Sequence, residues 1–467
     1  MSSQFRSLPS VDRLISDERL KQLAANNPHE LLVSLVRQQL DSERLAITAG
    51  NPASSLDEMV AAIIARVSRL ETPGLRPLIN ATGVVLHTNL GRAPLSREAI
   101  AAMDTIAGDY SNLEFDLDSG SRGSRQVHIE PLLCHLTGAE AALVVNNNAS
   151  AVLLSLSALA NRKEVVVSRG QAVEIGDSFR IPDVMKQSGA KLIEVGTTNC
   201  TYVRDYEQAI SPRTAALMRV HSSNFLVVGF TNSVTIEELA ALGKQRDIIV
   251  LDDLGSGCFL DTTAFGLAPE PSVQQSVVAG VELALFSGDK LVGGPQAGII
   301  VGKKQLIDKL RRHPLARAVR IDKIRLAGLA ATLLHYLKGE ATSKIPVWQM
   351  IAEPLDVIER RAGEWACPEL VEWAEALGGS TKVIAGESMI GGGSLPGSTL
   401  PTKLVAIKAE RKGQSAQAMA KKLRRNSVPI IARVSEDTLL LDPRSVLPEE
   451  DVVVIQALRG LSKINIK

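Results

Sequence analysis

From about residue 79 to residue 313 short apolar runs alternate with amphipathic stretches, and this alternation constrains the chain more than any other feature. AALVVN, KEVVVS, KLIEVG, AALMRV, DIIVLDD, LALFS and AGIIVG read as strands. IPDVMKQSG, TIEELAALGKQR and KKQLIDKLRRH carry apolar residues at the three-to-four spacing of a helix. Strands that are apolar throughout need cover on both faces. The expected architecture is therefore α/β, with a mostly parallel sheet between helical layers.

The flanks differ in texture. DRLISDERLKQLAA, PHELLVSLVRQQLDSERLA and SLDEMVAAIIARVSRLE predict an N-terminal helical domain, closed by the breaker cluster Thr72-Pro73-Gly74. Beyond about residue 325 come helices, then TKLVAIKAE, SAQAMAKKLRRN and PIIARVSEDTLLLD, a mixed α+β pattern. Three domains are expected: 1–72 helical, 73–324 the large α/β domain, and 325–467 a small α+β domain.

Composition narrows the function classes. The 467 residues hold 52 Lys+Arg against 51 Asp+Glu, and 45% are hydrophobic. That balance excludes a uniformly basic, polyanion-binding surface, and the apolar content excludes a mostly disordered chain. Residues 1–70 carry eight basic and eight acidic side chains. Cys134, Cys200, Cys258 and Cys367 form no CxxC pair, so neither a zinc ribbon nor a disulfide framework is expected. No secretory signal is visible at the N-terminus, and no apolar run reaches the ~18 residues of a membrane span. A cytoplasmic protein without a membrane partner is expected.

Three segments carry candidate chemistry. In LALFSGDKLVGGPQAGIIVG a strand delivers Ser287-Gly288-Asp289-Lys290 among small residues. A lysine desolvated there has a lowered pKa and a nucleophilic amine, as a Schiff-base lysine requires. In DIIVLDDLGSG a strand ends in Asp252 and Asp253. A carboxylate at that place suits the ring nitrogen of pyridoxal phosphate. Magnesium binding is the rival reading, weakened because no P-loop accompanies the pair. In VVNNNASAV a strand runs into Asn146, Asn147 and Asn148 and then a helix, whose free N–H groups suit a phosphate.

That order of elements resembles the fold-type I pyridoxal-phosphate enzymes, the aspartate aminotransferase superfamily. The resemblance implies that Asn147, Asn148, Ala149 and Ser287 surround the cofactor phosphate, and that Lys290 carries the cofactor. It also implies that Asp252 pairs with the ring nitrogen, Asp253 being the fallback. INATGVVLHTNLGRAPLS, EIGDSFRIPDVMKQSGAKLIEVGTTN, HSSNFLVVGFT and IGGGSLPG are similar to the bacterial selenocysteine synthases. Cys200, after GTTN, departs from the basic residue expected there.

This second resemblance implies a selenium transferase converting seryl-tRNA(Sec) to selenocysteinyl-tRNA(Sec) through an aminoacrylyl intermediate, with selenophosphate as donor. Lys290 would be the Cα base. Arg92, Arg317 and Arg320 match arginines placed near the donor anion, a task that suits the planar, always-charged guanidinium. His221 is a candidate contact to the cofactor ring. Arg122 and Arg125 form a further basic loop, and Cys258 lies close to the aspartates.

The N-terminal helices would recognise the tRNA body. Nine basic residues within Lys403–Arg433 are a second candidate for tRNA phosphates. A homo-oligomer built from dimers, a decamer by the resemblance, is expected. The alternatives are a pyridoxal-phosphate lyase acting on a small amino acid or amino-sugar phosphate, and a tRNA-binding protein with an inert cofactor site.

Overall fold

Polar side chains start the N-terminal helices. Ser10, Asp17 and Ser55 each accept a backbone N–H of the first helical turn, and Glu58 returns the bond to complete a capping box at Ser55. The computed structural model describes residues 5–175, 179–409 and 414–462. It places α1 at Val11–Ile15, α2 at Glu18–Ala24, α3 at His29–Thr48 and α4 at Leu56–Glu71. The stretch 12–25, read as one helical segment, holds two helices, because Asp17 leaves the helical conformation to cap the second. Leu14, Leu20, Leu32, Val36, Leu40, Val60, Ile63 and Val67 form the core of this unit. Each fully buried aliphatic side chain contributes about 1.5–3 kcal/mol. The compact unit runs to Leu78, and a second begins at Ile79.

The second unit opens with β1 (Ile79–Ala81) and β2 (Val84–Leu86). Its large sheet comprises β3 (Ala141–Val145), β4 (Glu164–Ser168), β5 (Lys191–Val195), β6 (Thr214–Val220), β7 (Ile249–Gly255), β8 (Leu283–Ser287) and β9 (Gly298–Gly302). The strand order is β3-β9-β8-β7-β6-β4-β5. All neighbours are parallel except β9, which is antiparallel to both β8 and β3. Alternate residues supply two separate cores. Val144, Val166, Leu217, Val250 and Phe286 face one way, and Leu143, Val165, Met218, Leu251 and Leu285 the other.

A six-stranded sheet completes the unit: β10 (Ser380–Gly391), β11 (Thr399–Lys408), β12 (Ile430–Ser435) and β13 (Thr438–Leu441), together with β1 and β2. Ile79 pairs with Ile430, and Val84 with Met389. The small-domain sheet is thus not confined to residues after 325. Two three-residue strands from the start of the unit form its edges. The basic run at 403–433 lies partly on β11 and β12, while Glu410, Arg411 and Lys412 lie outside the described residues. No helix among the described residues is long and apolar enough to cross a membrane.

Candidate active site

The carboxyl ends of β3, β6, β7 and β8 open onto one cavity of about 470 Å³, the place where parallel α/β sheets bind ligands. Lys290, three residues past β8, lines it and is only 4% exposed. Burial, and next the positive charge of Arg92, hold the Lys290 amine below the ordinary lysine value; Asp253, Asp289 and Glu270 pull against that shift. The glycines of the 390–397 segment close over this side chain. A Cβ at Gly393, whose φ is +84°, would lie 2.5 Å from Lys290 Nζ.

One wall is the start of the helix α5 at Asn148–Leu159. Asn147 caps it, its Oδ1 accepting from the Ser150 N–H at 2.9 Å. Asn147, Asn148 and Ala149 line the cavity there, with Ser287 beside them. Gly298 lets the next strand pass: a Cβ would collide with the Asn147 carbonyl.

The two aspartates of β7 divide by strand alternation. Asp253 faces the cavity and accepts from the Asn148 Nδ2 amide at 2.8 Å. Burial pushes its carboxyl up to about 6, against the Asn148 bond and the Lys290 charge. Asp252 points to the opposite side of the sheet. There Arg219 grips it with two 2.8 Å hydrogen bonds, and Ser276 Oγ donates at 2.6 Å. Asp252 is fully buried in that pair and cannot reach a ligand beside Lys290. The expectation that Asp252 serves the pyridine nitrogen is therefore corrected: of the two carboxylates it is Asp253, the fallback, that lines the Lys290 cavity. The same divergence keeps the two carboxylates from sharing a metal.

The polar inventory of the cavity fits pyridoxal phosphate. Among the described residues of the cavity wall, Asn148 Oδ1 and Ser223 Oγ are buried without a hydrogen-bond partner. Buried polar atoms are normally satisfied, so their concentration beside a desolvated lysine, a carboxylate and a helix N-terminus matches a polar ligand with an aldehyde, a ring nitrogen and a phosphate.

Residues 78–447 match the family model for L-seryl-tRNA selenium transferase, and residues 5–44 match the selenocysteine synthase N-terminal model. The chain belongs to the L-seryl-tRNA selenium transferase family. It is 47% identical over 468 residues to the L-seryl-tRNA(Sec) selenium transferase of Geobacter sulfurreducens, covering 98% of this chain and 99% of that one. It is 50% identical over 457 residues to the enzyme of that name from Geobacter metallireducens, covering 97% and 98%. A solved structure of D-glucosaminate-6-phosphate ammonia-lyase superposes with a TM-score of 0.57 at 21% identity, covering 85% of this chain and 98% of that one. That likeness shows the fold, the fold-type I architecture.

Apart from Asp252, the expected site residues of this family member fall into two groups. Lys290, Asn147, Asn148, Ala149, Ser287, His221 and Arg92 share the cavity. Arg92, at φ +63° after Gly91, reaches Asp289 at 2.8 Å. Arg317 and Arg320 do not join them. They line a second cavity of about 270 Å³ with Arg122, Arg125 and Arg311. The reason is local: Arg320 bridges to Val145 and the Asn146 N–H donates to the Val319 carbonyl, so this segment runs along the far side of β3. Glu114 takes the charge of Arg125 at 2.6 Å and of Arg320 at 3.1 Å.

Cys258 is fully buried, and burial pushes its thiol up to about 12, so at neutral pH it is an apolar packing group. Sequence reasoning passed over Asp289, Ser223, Thr88 and Gln296, which also line the Lys290 cavity. Only Asp289, inside the SGDK motif, carried a signal.

Proposed function

We propose that the protein converts L-seryl-tRNA(Sec) to L-selenocysteinyl-tRNA(Sec), with pyridoxal 5'-phosphate as cofactor and selenophosphate as selenium donor. The observation that carries this reading is the buried Lys290 amine facing Asp253 across a cavity with a helix N-terminus on its wall. The family membership, spanning both the N-terminal helices and the catalytic unit, supports the tRNA substrate over a small amino acid.

Each side chain has a task. The N–H groups at Asn148 and Ala149, with Ser287 Oγ, bind the phosphate group. Asp253 holds a proton on the pyridine nitrogen, and the Asn148 amide fixes the carboxyl that does so. Bound there, pyridoxal phosphate supplies an electron sink for the charge left at the serine Cα. Lys290, desolvated and uncharged in a larger fraction than a surface lysine, takes the Cα proton. Arg92, partly neutralised by Asp289, is the cation within this cavity that meets the donor anion. Arg317 and Arg320 serve the same anion from the arginine cavity if a second copy of the chain brings the two together, in keeping with a homo-oligomer. The N-terminal domain, 1–72, recognises the tRNA, and the protein works in the cytoplasm.

The test incubates the purified protein with seryl-tRNA(Sec) and selenophosphate, and in parallel with free serine or an amino-sugar phosphate. Selenocysteinyl-tRNA is expected from the first mixture alone. Turnover of the small substrates without the tRNA product would overturn the proposal in favour of a lyase. Removing residues 1–72 should abolish tRNA binding while the cofactor's visible absorbance persists; unaltered tRNA binding would refute that role.

A further inference from the structure

Glu270 is a buried carboxylate with no task so far. Its side chain is 2% exposed, and its Oε1 faces His221 Nε2 at 3.3 Å. Neither of these two atoms has a hydrogen-bond partner among the described residues. Burying a carboxylate costs several kcal/mol unless something answers its charge, and His221 is placed to do so. The backbone that presents it is rigid. Glu270 sits between Pro269 and Pro271, which fix their own φ and restrict the residue before each ring. Its N–H donates to Thr262 Oγ1 at 3.0 Å. A surface loop does not require a glutamate locked in this way.

His221 links that carboxylate to the catalytic cavity. Its backbone N–H donates to the Asp253 carbonyl at 2.9 Å, anchoring it at the end of β6 beside β7. Its side chain forms part of the wall of the Lys290 cavity. Nε2 is turned to Glu270, so Nδ1 is the nitrogen left for a ligand. A carboxylate behind one imidazole nitrogen fixes the tautomer and the orientation of the ring. The charged groups around His221 are Glu270 behind it, Asp253 from β7, Asp289 and Lys290 from the segment after β8, and Arg92 from the loop after β2.

We infer that Glu270 is a positioning residue for His221, and that the pair delivers the proton with which the serine hydroxyl leaves. This rests on the function proposed above. Lys290 takes the proton from Cα, and the pair of electrons of that C–H bond becomes the Cα–Cβ double bond. The Cβ–O bond breaks with its electrons going to oxygen, which takes the Nδ1 proton of the His221 imidazolium. One water leaves, and the imidazole is left neutral with Nε2 still facing Glu270.

The experiment compares the full-length holoenzyme with Glu270→Gln and Glu270→Asp. The rate of His221 carbethoxylation by diethyl pyrocarbonate at one fixed pH is followed by peptide mass spectrometry, alongside water elimination from seryl-tRNA(Sec). Glu270→Gln should raise that rate about threefold or more, because Nε2 loses the carboxylate that faces it. It should also lower kcat by about 100-fold, with KM changed less than about threefold. Glu270→Asp should recover at least about tenfold of that loss. An unchanged carbethoxylation rate or an unchanged kcat in Glu270→Gln would overturn the inference. A wild-type protein inactive on seryl-tRNA would refute the parent function, and the carbethoxylation rate would still decide whether Glu270 positions His221.

Discussion

The two neighbouring cavities of the catalytic unit differ in how their charges are answered. Around Lys290, cations and carboxylates alternate, with Arg92 and Lys290 against Asp253 and Asp289, and several uncharged polar atoms have no partner among the described residues. The other cavity gathers Arg122, Arg125, Arg311, Arg317 and Arg320, with Glu114 as the acidic side chain lining it. The first arrangement suits a ligand with several different polar groups, each needing its own partner. The second suits a simple anion. A protein handling both a cofactor and an anionic donor needs both kinds of surface.

Lys290→Ala gives the widest separation. It should abolish the cofactor's visible absorbance and lower turnover by roughly 10³-fold or more, leaving the arginine cavity intact. Retained absorbance would break the distinction.

The adjacent aspartates come next. Asp252→Asn strands the Arg219 charge in the interior and should cost about 3–5 kcal/mol of stability, read as a lowered denaturation midpoint. Asp253→Asn should do the opposite to the cofactor-free protein. Its carboxyl is raised by burial from 3.8 to about 6, so the folded state holds that proton more tightly than the unfolded chain. The stability it contributes is present below about pH 4 and is lost as pH rises toward 6. At pH 7 Asp253→Asn should therefore melt a few degrees higher without cofactor, yet bind the cofactor more weakly. Equal behaviour of the two variants would mean that the faces of β7 are not distinct.

The smallest effect belongs to the arginine cavity. Arg320→Ala should raise the KM for selenophosphate about tenfold, the worth of one charge-assisted hydrogen bond, without altering the absorbance. A spectral change would merge the two cavities into one site.

Much of this was legible in the sequence. The seven strands of the large sheet announced themselves because each is built around a short apolar run, and Lys290 because small residues frame it. The choice between Asp252 and Asp253 was not legible. Both lie side by side on the same strand, and only the tertiary fold says which face meets the lysine. The strands at 79–81 and 84–86 were equally hidden. Three apolar residues are no signal by themselves, and their partners Ile430 and Met389 lie more than 300 residues away. Arg317 and Arg320 were read from a resemblance that says which residues meet an anion, not which cavity of one chain they line. Glu270 had a local signature in Pro-Glu-Pro, but its meaning depends on His221 standing opposite.

Borohydride reduction of the holoenzyme, followed by peptide mapping, tests the central assignment most directly. The account predicts one pyridoxyl group, covalently attached to the peptide containing Lys290, and none in Lys290→Ala. A label on another lysine, or no label in a yellow wild-type protein, would contradict it.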